Sequence, residues 1–294
     1  MRHVLIGLLF ILFHPFGLHP VQAETPERVV ALNWALAEVV LELDVVPVGI
    51  ADVDGYRTWV RQPALPSDVV DLGLRNEPNL ERLAALAPDL ILASDQQADL
   101  VPRLERIAPV ILFRSFDAAK DNAAVSRETV RELARILGRE DLANERLTRL
   151  DAQIAAAGAR VREHFNGQVP PILPIRFLTT ETLRLHGANS MAKAAIDAMG
   201  LEHAAPGEPT GWGFVQKRVE DLAAFEEAIV LHIAPFPELE ELQATRMWQF
   251  MPFVRESRHA EVRPVWTFGG AFSIGHLSEA FADALLTIDP AVVE

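Results

Sequence analysis

An arginine stands on a predicted loop in the stretch DLGLRNEPNLERLAALAPDLILAS, which covers residues 71–94. Arg75 follows a short apolar run and a glycine. After Pro78, apolar residues recur at helical spacing, and the run at residues 90–92 indicates a further strand. Loops at the carboxyl ends of parallel strands face the ligand crevice of an open sheet, so we predict that Arg75 contacts a ligand. A guanidinium at such a position suits a ligand rich in oxygen acceptors.

Aromatic side chains lie on several other predicted loops and strand ends. Trp212 stands between two glycines in EPTGWGFVQKR, and Trp266 and Phe268 alternate before the Gly-Gly pair of RPVWTFGGAFS. One aromatic residue alone is more often packed in a core than placed against a ligand. Together with Arg75 they predict an aromatic cleft for a bulky, mostly neutral ligand that carries a cluster of oxygen acceptors. The aromatic set comprises Trp34, Tyr56, Trp59, Trp212, Trp266 and Phe268, whereas Trp248 is predicted to be a buried helix residue.

The sequence offers little for catalysis. The six histidines after residue 23 are scattered, without an H-E-x-x-H pattern or a pair four residues apart, so no histidine metal site is expected. No G-x-S-x-G and no glycine-rich phosphate loop occurs. Ser273 and His276 in GGAFSIGH leave a secreted serine hydrolase as an alternative, but a helix start with Ser273 as its cap is the simpler interpretation.

The first 23 residues have the pattern of a secretory signal peptide. One arginine precedes an apolar run from Val4 to Phe13, and Ala23 ends a V-Q-A cleavage context. The run is well short of the roughly 20 apolar residues that a membrane span needs. The chain has no cysteine, so we expect export to the periplasm without a lipid anchor, and disulfides and thiolate metal sites are excluded. The net charge of −14 argues against nucleic acid as a partner.

Apolar runs that predict strands alternate with periodic segments that predict helices, which is the pattern of an α/β protein. A first series of strands is predicted at residues 28–32, 47–51, 69–72, 90–93 and 110–113, and a second at 172–179, 183–186, 228–233 and 262–266. A closing helix is predicted at residues 277–288. The two series define an N-terminal lobe at residues 24–138 and a C-terminal lobe at residues 166–294.

Residues 139–165 are predicted to connect the lobes as one long helix. The segment is rich in Ala, Leu, Arg and Glu, and after Gly138 it has almost no turn signal. A flexible hinge would use Gly, Ser or short strand crossings instead. We therefore expect a stiff connector.

The two lobes repeat one sequence pattern at a constant offset of 139 residues. NLERLAALAPDLIL from Asn79 aligns with RVEDLAAFEEAIVL from Arg218, which sets Glu81 against Glu220 and matches two apolar strands. Any two amphipathic helix–strand units look somewhat alike, but the extent of the match favours a duplicated lobe. Each of the two acids lies in the first turn of its helix, where the helix dipole favours a carboxylate. Two similar lobes that face each other form a cleft.

The chain resembles the periplasmic binding proteins of iron-siderophore ABC importers, and within them the ferric-hydroxamate binding proteins. The stretches that carry the resemblance follow family order from Arg28 to the closing helix. They are RVVALNWALAEVVLELDVVPVGIAD, YRTWV, VDLGLRNEPNLERLAALAPDLIL, ERIAP, GWG, MWQFMPFVRESR and VRPVWTFGG. The resemblance implies the fold class: a two-lobed α/β periplasmic binding protein of class III, whose lobes are joined by one long α-helix and open only slightly.

The resemblance also implies roles for individual residues. The arginine that matches Arg75 donates hydrogen bonds to hydroxamate oxygens around iron, and the matching aromatics wall a shallow cleft. Three hydroxamates fill six positions around iron, so neither a metal ligand nor a cofactor is expected from the protein. The family places a tyrosine after the strand DLILAS as a second donor, and this sequence has Gln97 there, in SDQQAD. Ala93 also stands where an aromatic is expected, so the identity of the siderophore is left open.

The function implied is that of a non-enzymatic, monomeric periplasmic protein. It captures a ferric hydroxamate siderophore of the ferrichrome type and delivers it to an ABC permease and ATPase complex of the inner membrane. Glu81 and Glu220, one on each lobe, are implied to dock on the permease. The alternatives are another bulky metal chelate, such as a catecholate or mixed siderophore, cobalamin or haem, and the secreted serine hydrolase.

Overall fold

The computed structural model describes residues 25–114 and 116–293. The predicted signal peptide at residues 1–23 lies outside this part of the chain. Within the described residues, no helix combines the length and the apolar character that crossing a bilayer would require.

The first sheet is built from five strands: β1 Val29–Ala31, β2 Gly49–Ile50, β3 Val70–Asp71, β4 Leu90–Ser94 and β5 Val110–Phe113. All are parallel, in the spatial order β3-β2-β1-β4-β5. The three interior strands, β2, β1 and β4, are buried throughout, as expected for apolar runs in a sheet covered on both faces. Each strand lies within its predicted range, except that β4 continues one residue further to Ser94.

The second sheet also has five strands: β6 Ile172–Phe177, β7 Thr182–His186, β8 Phe214–Arg218, β9 Ile229–Ile233 and β10 His259–Val262. Their spatial order is β10-β9-β6-β7-β8, and β7 runs antiparallel to both of its neighbours. The prediction of a strand at residues 262–266 is wrong, because β10 ends where that range begins. Strand β8 was not predicted because most of its residues are exposed and polar, which gives no apolar run.

Both sheets place their strands in the same spatial order when each set is counted along the chain: third, second, first, fourth, fifth. Strands β4 and β9 start 139 residues apart, which is the offset of the sequence repeat. The lobes differ at the second strand. A tight turn at Leu178–Thr182 returns the chain directly, so β7 pairs antiparallel with β6, whereas a helical crossover makes β2 parallel to β1.

The helices flank these sheets and cross between them. They are α1 Trp34–Glu42, α2 Val53–Gly55, α3 Leu80–Ala85, α4 Val101–Leu104, α5 Asn122–Ile136, α6 Glu140–His164, α7 Met191–Ala198, α8 Leu239–Gln243, α9 Arg246–Gln249, α10 Pro252–Arg255 and α11 Ala271–Leu285. Single helical turns cover Tyr56–Val60, Asp95–Leu100, Val219–Ala224 and Pro290–Val293. Helix α11 begins six residues before the predicted start of the closing helix.

Helix α6, with 25 residues, is the connecting helix that the sequence predicted. It packs against α5, α7 and α11. Gly158 permits its closest approach to a neighbouring element, because a Cβ atom there would lie 2.1 Å from the carbonyl oxygen of Met199. One apolar cluster joins Val40 of the first lobe, Leu147 of α6 and Phe281 of α11, so a continuous core runs through the lobes and their connector.

Candidate ligand-binding cleft

Arg75 lies on the loop between β3 and α3. Gly73 and Pro78 form an isolated bridge that folds this loop back on itself, and Gly73 has a φ of +81°, which favours glycine. Asn79 caps α3, since its side chain accepts a hydrogen bond of 2.9 Å from the backbone N–H of Arg82. The loop is therefore fixed at both ends, and it presents Arg75 at the carboxyl end of β3.

The guanidinium of Arg75 stacks on aromatic rings. Its central carbon lies 3.7 Å from the ring centroid of Trp34 and 5.8 Å from that of Trp266. Its Nε atom is 3.8 Å from a carboxylate oxygen of Asp52. Burial lowers the pKa of Arg75, and Asp52 opposes that shift. Stacking uses the face of the guanidinium and leaves its edge N–H groups free to donate to a ligand.

Trp34 is held rigidly beneath Arg75. It is the first residue of α1, whose N-cap Asn33 accepts a hydrogen bond of 2.8 Å from the backbone N–H of Ala35. The indole N–H of Trp34 donates to the carbonyl oxygens of Ala51 and Asp52 at 3.0 and 3.2 Å. Trp34 therefore forms the floor of the cleft, and its polar atom is already satisfied by the protein.

Gln97 does not contact the cleft directly, which corrects the prediction that it is a ligand donor. The side chain is fully buried. Its carbonyl oxygen accepts a hydrogen bond of 2.9 Å from the backbone N–H of Ser94, and its amide donates to the carbonyl oxygen of Arg75 at 2.8 Å. Gln97 thus positions the Arg75 loop. The preceding residue, Gln96, is exposed and lines the cleft instead.

Trp266 and Phe268 both line the cleft. The ring of Trp266 meets the ring of Trp34 edge-on at 4.9 Å and that of Phe268 at 5.4 Å. Both rings line the cleft, and Thr267 between them is buried.

Trp212 lies on the far side of Phe268, and 45% of its surface is exposed. Two aromatic residues that were not singled out in the sequence complete this cluster: Phe116 lies 6.2 Å from Trp212, and Phe214 lies 5.8 Å from Phe268. Phe214 is the second residue after Trp212, and Phe116 follows the end of β5 closely. Their positions at an aromatic motif and at a strand end are the signals that could have identified them.

The two aromatics of the stretch DGYRTWV separate in the structure. Trp59 lines the cleft, and the guanidinium carbon of Arg176 is 5.3 Å from its ring centroid. The prediction that Tyr56 lines the cleft is wrong. Tyr56 is fully buried, and its hydroxyl donates to the carbonyl oxygen of Pro63 at 3.0 Å. Both residues belong to one helical turn, but Tyr56 lies in the core and Trp59 lines the cleft.

The cleft consists of two chambers that share five lining residues: Trp34, Arg75, Arg184, Trp266 and Phe268. The first chamber has a volume of about 290 Å³ and extends to Phe116 and Trp212. The second chamber has a volume of about 370 Å³ and extends to Trp59 and Phe236. Both are in the size range of small-molecule sites, and both combine aromatic walls with a few polar groups.

A buried carboxylate anchors the segment that carries Trp266 and Phe268. Glu38 of α1 accepts hydrogen bonds from the hydroxyl of Ser273 at 2.6 Å and from the backbone N–H of Gly270 at 3.1 Å. Burial raises the pKa of the Glu38 carboxyl, and His276 and these two donors oppose the shift. Ser273 is therefore neither a helix cap nor an accessible nucleophile, since it lies fully buried in the first turn of α11. This removes the residue on which the hydrolase alternative depended.

Glu81 and Glu220 lie in the first turns of the helical segments that follow the third strand of each sheet. Both side chains are exposed. They differ in their surroundings, because the carboxylate of Glu220 is 2.5 Å from the guanidinium of Arg218. Within residues 25–114 and 116–293, no group of three or more His, Cys, Asp or Glu side chains is arranged to hold a metal ion.

The fold and the cleft define a known class of protein. Residues 29–264 match the model of the periplasmic binding protein family, and the chain belongs to that family. Its members are substrate-binding components of transport systems and not enzymes.

Two named relatives and one crystal structure match most of the chain. The iron(3+)-hydroxamate-binding protein FhuD of Escherichia coli (strain K12) is 33% identical over 262 residues, which cover 88% of this chain and 87% of that protein. The Fe(3+) dicitrate-binding periplasmic protein FecB of the same strain is 26% identical over 89% of this chain and 87% of its own. A crystal structure of the siderophore-binding protein FhuD from Vibrio cholerae with bound Fe3+–Desferal is 40% identical and has a TM-score of 0.87. That match covers 90% of this chain and 99% of the other. The predicted resemblance and fold class are confirmed.

Proposed function

We propose that the protein binds a ferric hydroxamate siderophore in the cleft between its lobes and delivers it to an ABC permease complex of the inner membrane. The observation that carries the proposal is the stacked Arg75 at the centre of an aromatic cleft. The relatives named above support it, because a protein 33% identical is named for iron(3+) hydroxamate binding and one 40% identical holds Fe3+–Desferal.

In this proposal, Arg75 donates its edge N–H groups to the hydroxamate oxygens that surround the iron. Charge-assisted hydrogen bonds of this kind are about twice as strong as neutral ones. The aromatic rings cover the apolar part of the chelate: Trp34, Trp59, Trp212, Trp266 and Phe268 from the predicted set, with Phe116 and Phe214 added by the structure. Ferric iron arrives already coordinated, so the protein recognises the surface of a preformed complex.

We also propose where the protein works and how its chain is divided. Residues 1–23 direct export and are removed, and the mature protein works in the periplasm as a monomer. The lobes are bounded at residues 24–138 and 166–294, with residues 139–165 between them. Glu81 and Glu220 dock on the two halves of the permease, since rim charges guide an encounter between proteins.

A titration of the purified mature protein tests the proposal. Ferrichrome, ferrioxamine, coprogen and an iron catecholate are added in turn while tryptophan fluorescence is recorded. Ferric hydroxamates are expected to quench the emission with saturation, because Trp212 and Trp266 line the cleft. An iron catecholate that binds more tightly than every hydroxamate would favour the rival chelate class. No quenching by any hydroxamate, in protein whose circular dichroism shows that it is folded, would refute the proposal.

A further inference from the structure

Two arginines that were not singled out in the sequence lie on the wall of the cleft that the second sheet provides. Arg176 of β6 and Arg184 of β7 are directly paired across the two antiparallel strands, so their side chains share one face of the sheet. Both line the second chamber, and Arg184 also lines the first. Like Arg75, Arg184 therefore borders both chambers, but it comes from the other lobe.

The described part of the protein offers no counter-charge to either cation. Among the described residues, no Asp or Glu forms an ion pair with Arg176 or Arg184. The acid among the residues that line the second chamber, Glu238, is exposed and pairs with neither. Burial lowers the pKa of both guanidiniums, and the charge of Arg184 adds to the effect on Arg176, whose pKa falls to about 10. Partly buried positive charge without a counter-charge is unfavourable, and a bound anion would relieve it.

The two arginines differ in whether their N–H groups already donate hydrogen bonds within the protein. Arg176 donates to the carbonyl oxygens of Ala234 and Val265 at 3.2 and 3.0 Å, so it is held in place by the backbone. The guanidinium of Arg184 instead stacks over Phe214 at 4.7 Å from the ring centroid, and its Nε atom is buried without a hydrogen-bond partner. Arg184 thus stacks on an aromatic ring, as Arg75 does on Trp34, and among the described residues no acceptor bonds its N–H groups.

We propose that Arg184, with Arg176 behind it, forms an anion-recognition site opposite Arg75, and that the preferred cargo is a ferric hydroxamate chelate that also carries a carboxylate. This inference rests on the proposed function and narrows its substrate class. Arg75 recognises the oxygens around iron, and Arg184 binds the carboxylate through parallel N–H donors. The sequence predicted a mostly neutral ligand because it assigned only one arginine, Arg75, to the cleft. In the structure, the cleft carries positive charge on both walls, from Arg75 on one and from Arg184 and Arg176 on the other.

The test uses three ferric chelates of one scaffold that differ only at the chain terminus. Desferrioxamine B has a cationic amine there, its N-acetyl derivative is neutral, and its N-succinyl derivative ends in a carboxylate. The dissociation constant of each is measured by fluorescence quenching and by calorimetry. The wild-type protein is expected to bind the succinyl form about tenfold more tightly than the acetyl form, which corresponds to one charge-assisted contact. The amine form is expected to bind most weakly of the three.

Substitutions assign this preference to Arg184. In Arg184→Met, the ratio of the succinyl to the acetyl affinity should fall to about one, and Arg184→Lys should keep part of the preference because it keeps the charge. Arg255→Met is the matched control, since it removes an exposed arginine of the same lobe that does not line the cleft, and it should retain the wild-type ratio.

Three results would overturn the inference. They are equal wild-type affinities for all three chelates, a wild-type ratio retained in Arg184→Met, and an equal loss for all three chelates in that variant, which would assign Arg184 to packing on Phe214. These results leave the proposed function standing because a ferric hydroxamate still binds. Failure of every chelate to bind the folded wild-type protein would instead refute the proposed function itself, and the inference with it.

Discussion

The guanidinium carbon of Arg75 lies 3.7 Å above the ring centroid of Trp34, and the indole N–H of Trp34 donates to the carbonyl oxygens of Ala51 and Asp52. The cation that faces the cleft therefore rests on a ring that the backbone of the same lobe holds in place. A ligand that binds Arg75 does not have to order a free side chain, which reduces the entropic cost of binding. Recognition at this point depends on the planar shape of arginine as well as on its charge.

Replacing Arg75 tests this arrangement. Arg75→Ala is expected to weaken binding of a ferric hydroxamate by about 2 to 3 kcal/mol, because charge-assisted hydrogen bonds are lost and the chelate oxygens are left poorly solvated. Arg75→Lys should recover only part of the binding free energy that Arg75→Ala loses, since an ammonium group is not planar and cannot stack on Trp34. The measurement is the dissociation constant from fluorescence quenching. Arg103→Ala, which removes an exposed arginine outside the cleft, is the control. Equal affinity of Arg75→Ala and the parent would show that Arg75 is structural.

Gln97 is expected to act through the loop that it holds. In Gln97→Glu, the carboxylate can still accept from Ser94, but it cannot donate to the carbonyl oxygen of Arg75. We expect the free energy of unfolding to fall by about 1 to 3 kcal/mol and the ligand affinity to fall with it. Denaturant unfolding and the quenching titration measure the two effects. Gln96→Ala should leave the unfolding free energy nearly unchanged, because Gln96 is exposed. Full stability of Gln97→Glu would mean that the loop does not need this hydrogen bond.

The strands and the connecting helix could be predicted from the sequence because each depends on a local pattern. Runs of Val, Ile and Leu marked β1, β4 and β9, and a long segment without turn residues marked α6. Strand β8 has no such run, and its pairing with β7 comes from the tertiary structure. Local pattern therefore identified the architecture but not the full second sheet.

The site was predictable only in part, because side-chain direction depends on contacts that are distant in sequence. Tyr56 and Trp59 lie in one short stretch, yet only Trp59 faces the cleft. Gln97 occupies the position of an expected donor, but its amide is used by Arg75 from another loop. Arg184 acquires its role only when β7 pairs with β6 beside the aromatic wall.

The buried carboxylate of Glu38 predicts a dependence of stability on pH. Burial raises its pKa in the folded protein above the ordinary value of 4.5, so the folded state retains the proton more strongly than the unfolded state. Its contribution is therefore most favourable below pH 4.5 and is lost as the pH rises through the folded pKa. Glu38→Gln removes this titration while its amide can still bond Gly270 and Ser273. The unfolding free energy of the parent, relative to Glu38→Gln, should decrease as the pH rises from 4.5. A constant difference across this range would contradict the assignment.

Docking on the permease is tested by reversing one rim charge at a time. Glu81→Arg and Glu220→Arg are each expected to abolish siderophore-dependent growth and to leave the quenching titration unchanged, because both acids are exposed outside the cleft. Glu128→Arg on α5, also exposed, is the matched charge reversal that should grow normally. Normal transport by either rim variant would show that its acid only stabilises a helix start. The docking acids would then be sought among neighbours such as Asp99, Glu105 and Glu226.

Isothermal titration calorimetry of the mature protein measures whether the cleft around Arg75 binds a ferric hydroxamate. Ferrichrome is titrated in its ferric form, and the wild-type protein is compared with Arg75→Ala at the same concentration. We expect saturable binding of one chelate per protein chain, with a clearly weaker affinity in the variant. The absence of binding heat with ferrichrome and with every other ferric hydroxamate at several temperatures, in protein shown to be folded, would contradict it.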